Sequence, residues 1–223
     1  MRNNSMRIAG IDEAGRGPAI GPLVLAVALA KKEKEEELKE IGVKDSKMLS
    51  KTERSRQEKE IKKVVEEFGT VQISAQEIDK LRDRKSLNEI EAMRIGMLLN
   101  NLKEKPNIAY VDCPDPEEKN FEKRIRKYID FDCVIISEHK ADVNYPIVSA
   151  ASILAKTERD KEIEKLSKEF GEMGSGYSHD PLTIKFLNEW VKNNPALPDF
   201  VRKSWQTTKD ILDKKYQKKM IEW

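Results

Sequence analysis

RIAGIDEAGRGPAIGP, residues 7–22, is the stretch whose reading decides the fold. Ile8 and Ile11, set among small residues, fit a buried β-strand. Two acids, Asp12 and Glu13, then stand where the apolar run should continue. Neighbours on a strand point to opposite faces, so only one of them faces the core side unless the strand ends or bulges there. The glycines at 10, 15, 17 and 21, with Pro18 and Pro22, supply such a break. PLVLAVAL, residues 22–29, follows as a second and almost continuously apolar strand. Acids wedged between two buried strands are costly unless they are paired or hold a cation, and this favours a metal. The plainer reading of an acidic pair before a glycine turn is a surface loop, and the small and apolar flanks weigh against it.

Outward from this stretch, strands alternate with helices, which indicates an α/β sheet. The charged run KKEKEEELKEI (31–41) predicts a solvated helix closed by Gly42. Ser50 and Glu53 have capping-box spacing and open a helix expected to reach about Phe68, with Gly69 ending it and a short strand over 70–74. A helix is expected over 75–82. The apolar spacing from Leu87 to Leu102 predicts a long one, broken by Pro106. Residues 108–111 form a third core strand that ends in Asp112. A basic helix over 121–129 and an apolar strand over 132–137 lead into Asp142. The longest helix is expected over 148–170, then a glycine loop, then a helical segment from Pro181. Three strands thus run into acids, and strand ends of an α/β sheet form the natural ligand crevice. Converging carboxylates repel one another unless cations neutralise them, and hard divalent cations with oxygen ligands do so.

At 223 residues the chain has room for one domain with an appended subdomain. Charged residues make up 37% and the mean hydropathy is −0.69, so a soluble protein with an ionic surface is expected. The excess of Lys and Glu resembles the ion-pair networks of thermophile proteins. A net charge of only +2 argues against binding nucleic acid by bulk positive charge, so local asymmetry has to carry it. No apolar run approaches a membrane span and the N-terminus is not a signal peptide, hence a cytoplasmic, membrane-free chain is expected. Cys113 and Cys133 lack metal-site spacing and read as small buried hydrophobes. His139 and His179 read as structural or surface residues, and Asp160 as an ion-pair partner. From Arg202 to Lys219 seven basic residues face two acids, with Trp205 and Tyr216 interleaved. That pattern fits a duplex-gripping arm and a solvated amphipathic helix equally well.

DEAGRGPAIGPLVLAVA (12–28), VKDSKMLS (43–50), YVDCPD (110–115), HKADVNYPIVSAASILAKTERD (139–160) and GSGYSHDP (174–181) together resemble the type 2 ribonucleases H, in that family's order. The pattern is most similar to the archaeal and eukaryotic catalytic-subunit branch. The resemblance implies a ribonuclease H-like mixed sheet flanked by helices, with a catalytic domain over 1–176 and a helical extension over 177–223. It implies a monomeric endoribonuclease that cuts 5′ of ribonucleotides in RNA–DNA hybrids and in DNA duplexes with embedded ribonucleotides, leaving 3′-hydroxyl and 5′-phosphate ends. Asp12, Glu13, Asp112 and Asp142 are the implied ligands of Mg2+ or Mn2+, two ions about 4 Å apart. In this division of labour Asp12 bridges both ions, Asp142 holds the ion that activates water, and Glu13 and Asp112 hold the other. Gly15, Arg16 and Gly17 would read the 2′-hydroxyl through backbone atoms, as glycines admit a close approach. Tyr177 would stack on the next sugar, and Ser46, Lys47 and Lys156 would contact phosphates. His179 departs from the small polar residue expected at its place. Two rival readings are another metal nuclease or phosphatase, which has no need of the glycine triplet and Tyr177, and a non-catalytic hybrid-binding module, which has no need of four acids.

Overall fold

The computed structural model describes residues 5–43 and 49–221, with side chains through Lys215. In chain order the elements are β1 (Arg7–Ala14), β2 (Leu23–Lys31), a 3-10 turn (Lys32–Lys34), α1 (Glu35–Glu40), α2 (Lys51–Val64), β3 (Glu67–Ile73), α3 (Ala75–Arg82), α4 (Leu87–Asn101) and β4 (Ile108–Asp112). They continue with α5 (Glu118–Arg126), β5 (Val134–Glu138), α6 (Ala141–Asn144), α7 (Pro146–Phe170), α8 (Pro181–Asn193) and α9 (Gln206–Ile221). The strands form one five-stranded sheet in the order β3-β2-β1-β4-β5. It is mixed, as expected: β1 runs antiparallel to β2 and parallel to β4, and β4 runs parallel to β5. The described residues group into two compact units. One draws on residues 5–14, 24–43, 49–72 and 85–158, the other on 15–23, 73–84 and 159–221.

In the first unit, β1 and β2 are buried along nearly their whole length. The close approach of α7 to β1 has a specific cause. A Cβ on Gly10 would stand 2.2 Å from the backbone carbonyl of Ile147, so helix and strand meet backbone to backbone. Ala150, Ala151 and Ala155 on the same helix are wholly buried and keep the layer thin. Gly10→Ala is therefore expected to lower stability by about 3 kcal/mol, because backbone on both sides must move. The urea midpoint with unchanged slope checks it, and an unmoved midpoint would mean that α7 yields easily.

Local chemistry starts several of these helices. Ser50, Ser74 and Ser86 each accept the amide of the glutamate three residues on, at 3.2, 3.1 and 3.2 Å. The expected end of α2 needs correction. The helix stops at Val64 and Val65 is extended, so Phe68 and Gly69 belong to β3. The Glu66 amide donates to the Leu29 carbonyl at 2.8 Å. Pairing with β2 thus takes the chain out of the helix, aided by the stiff β-branched pair Val64–Val65.

The second unit has its own core, built from Ala19, Ile20, Ile163, Leu187 and Val201 with Phe186 and Val191. Asp180 caps α8 by accepting the Leu182 amide at 3.0 Å, with Pro181 opening the helix.

Candidate active site

The first unit holds the carboxylates. β1 does not stop at the acids, since Asp12 pairs with Ala26, Glu13 with Leu25 and Ala14 with Val24. Asp12 is 6% exposed and Glu13 half-buried. β4 ends at Asp112, beside Glu138 of β5. One oxygen each from Asp12, Glu13 and Asp112 lies within 4.8 Å of the other two. Asp142 is buried on α6 and does not join that three-residue group. It is nevertheless tied to the group through its neighbour, as the Ala141 amide donates to Asp112 Oδ1 at 2.8 Å. α6 itself is clamped from both ends. Lys140 enters it with φ of 60°, and Glu138 accepts from Asn144 Nδ2 and, at 2.6 Å, from the Tyr145 hydroxyl. The Tyr145 ring stacks on Tyr110 of β4 at 4.2 Å.

Burial, and then the nearby charge of Asp112, push the Asp12 carboxyl up to about 7. Three groups act the other way: a hydrogen bond from Ser152, the charge of Lys156, and the Glu13 amide, which donates to Asp12 Oδ1 at 2.7 Å. Lys156 Nζ in turn donates to Ser152 Oγ at 2.8 Å. A buried cluster of oxygen donors whose charge is held back by mutual repulsion fits a hard divalent cation. Ser152 went unnoticed in the sequence. The signal that could have found it is its place one helical turn before Lys156 in α7.

Asp115 and His139 are accounted for locally. Asp115 is buried and accepts from Asn88 Nδ2 at 3.0 Å and Arg124 Nε at 3.2 Å. His139 Nε2 lies 2.9 Å from the Asp115 carbonyl. Both cysteines are free and buried, consistent with the hydrophobic reading. Ser46 and Lys47 lie outside the described residues.

The second unit holds the glycine loop and Tyr177. Gly15 has φ of 86°, open to glycine at little strain, and Gly17 is exposed. A Cβ on Gly17 would meet the Tyr177 ring edge at 3.7 Å. The Tyr177 ring carries the Arg159 guanidinium 5.2 Å from its centre, and His179 lies 5.4 Å away on a tilted plane. Arg159 also donates to the carbonyls of Ile20 at 3.2 Å and Ser175 at 3.0 Å.

Residues 202–219, which fit a duplex-gripping arm and a solvated amphipathic helix equally well, turn three of their side chains, Arg202, Trp205 and Lys215, onto backbone carbonyls. Arg202 is wholly buried and donates to the carbonyls of Gly21, Arg16 and Gly15 at 3.1, 3.0 and 2.5 Å. Trp205 Nε1 donates to the Gly17 carbonyl at 3.0 Å. Lys215 caps the end of α8 through the carbonyls of Val191 and Asn194. Arg202 is turned inward because backbone carbonyls that would otherwise be buried unpaired need donors. The side chain of Tyr216 lies outside the described residues.

Comparison with known proteins agrees with this geometry. The family model for Ribonuclease HII matches residues 9–208. The Ribonuclease HII of Pyrococcus abyssi is 46% identical over 209 residues, covering 94% of this chain and 92% of that one. The crystal structure of ribonuclease H2 from Pyrococcus horikoshii OT3 matches with a TM-score of 0.89 at 42% identity, covering 94% of this chain and 98% of that one. The structure of the PCNA:RNase HII complex from Archaeoglobus fulgidus matches with a TM-score of 0.83 at 40% identity, covering 90% and 96%. A chain with this sheet, this acidic cluster and these relatives belongs to the ribonuclease HII family, endoribonucleases that act on RNA–DNA hybrids.

Proposed function

We propose that the chain hydrolyses the phosphodiester 5′ of a ribonucleotide, both in continuous RNA–DNA hybrids and in DNA duplexes with single embedded ribonucleotides, leaving 3′-hydroxyl and 5′-phosphate ends. The observation that carries this reading is the convergence of Asp12, Glu13 and Asp112 within 4.8 Å, with Asp12 buried. These three, with Asp142 supplied from α6, would hold magnesium or manganese. When bound, a pair of such ions supplies an activated water and stabilises the leaving oxygen. Asp12, the buried member of the group, would be the ligand common to both. Ser152 and Lys156 hold it in place and favour its ionised form. Glu138 and Tyr145 fix the helix that carries Asp142.

Recognition falls to Gly15, Arg16, Gly17 and Tyr177. The exposed Gly17 puts no side chain in the way of a sugar, and Tyr177 offers a flat ring edge beside it. The 2′-hydroxyl is the group that separates ribose from deoxyribose at such a site. Lys156, Ser46 and Lys47 are assigned to phosphates in this reading. The chain works as a cytoplasmic monomer, and among the described residues no helix is long and apolar enough to cross a membrane. The Archaeoglobus relative's complex with PCNA supports a partner of the same kind.

The test is cleavage of a DNA duplex that holds one ribonucleotide, in magnesium and in manganese, with both product ends mapped. Cutting on the 5′ side with 3′-hydroxyl and 5′-phosphate ends is the expected result. Cutting on the 3′ side, or equal cutting of an all-DNA duplex, would overturn the proposal in favour of a general metal nuclease.

A further inference from the structure

Arg202 lies 187 positions along the chain from Gly15, yet its guanidinium donates to the Gly15 carbonyl. It also donates to the carbonyls of Arg16 and Gly21, so one side chain grips the loop near both of its ends. It is wholly buried, a rare state for arginine. The segment that carries it is pinned in turn. Asp79 accepts the amides of Lys203 and Ser204 at 2.7 and 3.1 Å, and the Trp205 ring lies 4.7 Å from the Arg202 guanidinium and 4.8 Å from that of Arg82. A planar fork of five donors on a rigidly held base is suited to fixing several carbonyls at once.

What this does to the loop follows from peptide geometry. The chain has no cis peptide bond among its described residues. In a trans peptide the carbonyl and the amide of the next residue point in opposite directions. With the Gly15 carbonyl turned to Arg202, the Arg16 amide is turned away from it. With the Arg16 carbonyl turned the same way, so is the Gly17 amide. A cation on the carbonyl side also polarises each peptide and strengthens its amide as a donor. The Trp205 indole holds the Gly17 carbonyl, which fixes the next peptide plane as well.

We propose that Arg202 is a positioning residue for ribose recognition: from inside the fold it aims the Arg16 and Gly17 amides outward as a paired donor for the 2′-oxygen. Trp205 completes the same brace. This inference rests on the reading of the glycine loop as the ribose sensor, and it adds the residue that sets the sensor's geometry.

The test uses the full chain and four variants: Arg202→Gln, Arg202→Lys, Trp205→Phe and Gly17→Ala. Three quantities are read: kcat/KM on a duplex with one ribonucleotide, Kd for an all-DNA duplex of the same sequence, and the midpoint of a manganese titration without nucleic acid. Arg202→Gln is expected to lower kcat/KM by about 100-fold, the scale of an ångström-sized misplacement. Its all-DNA Kd and manganese midpoint should stay within about twofold of the parent, a split that mere loss of fold would not produce. Arg202→Lys keeps the charge but loses the fork, so it should recover part of the activity. Should Arg202→Gln lose its near-ultraviolet circular dichroism, Trp205→Phe carries the test, with an expected loss of about tenfold for one hydrogen bond. Folded Arg202 and Trp205 variants that cut within about threefold of the parent would overturn the inference, as would equal losses in all-DNA binding and cleavage. Gly17→Ala separates the two layers of the argument. If it leaves cleavage at the lone ribonucleotide unchanged, the loop is not the sensor at all. If it slows cleavage while the Arg202 variants do not, the loop senses ribose but Arg202 does not aim it.

Discussion

Asp12→Asn is expected to leave the chain folded and to reduce turnover by about 100-fold or more, equivalent to roughly 2.7 kcal/mol of transition-state stabilisation. The side chain is nearly isosteric, so the Glu13 amide and Ser152 can still hydrogen-bond to an amide oxygen in its place. What disappears is the charge that two cations would share. The same reasoning gives a stability result of definite sign. The Asp12 carboxyl is raised in the folded chain from 3.8 to about 7 by burial and by Asp112. A raised acid destabilises the fold as pH climbs above its unfolded value, and the penalty is complete once pH passes the folded value. Without metal, the parent should therefore lose stability relative to Asp12→Asn between about pH 4 and pH 8. At pH 8 the variant should melt at the same temperature or higher. Circular dichroism melts in chelator, paired with rates at saturating magnesium, decide both points. Turnover within tenfold of the parent would remove Asp12 from the shared position.

Tyr177→Ala is expected to slow cleavage at a lone ribonucleotide by about tenfold or more, the loss of one stacking surface of roughly 1–3 kcal/mol. Tyr177 is half-buried, held by Arg159 across its face and placed beside the exposed Gly17. Its removal leaves Arg159 bonded to the Ile20 and Ser175 carbonyls, so the surrounding loop keeps its main anchor. Metal titration should not move, because every candidate ligand belongs to the sheet and α6 of the other unit. The comparison needs parent and variant on both a single-ribonucleotide duplex and a continuous hybrid. An equal loss on both, together with a shifted metal midpoint, would make Tyr177 a structural plug.

Much of the fold was legible because it is written in contiguous residues. The apolar run of β2, the capping serine at 50 and the acidic ends of β1 and β4 all lie within single short stretches. The end of α2 was not legible. Val64 and Val65 leave the helix because β2 offers a partner, and no window around residue 65 contains that partner. Nor was the division of the chain into two units, in which residues 15–23 and 73–84 group with 159–221.

The sequence by itself determined the chemistry: an acidic pair after an apolar strand, further acids after two others, and a glycine triplet able to bare its backbone. Types and short spacings suffice for that, since a carboxylate's preference for a hard cation and a glycine's freedom are properties of single residues. Tertiary structure decided which of these groups meet and what supports them. It gathered Asp12, Glu13 and Asp112, set Ser152 against Asp12, and turned Arg202 inward from a segment whose composition looked like a surface arm. The charge of an arginine is visible in a sequence, but its direction is not. That direction is set by where unpaired carbonyls fall in the folded chain, and the carbonyl of Gly15 finds its donor 187 positions away.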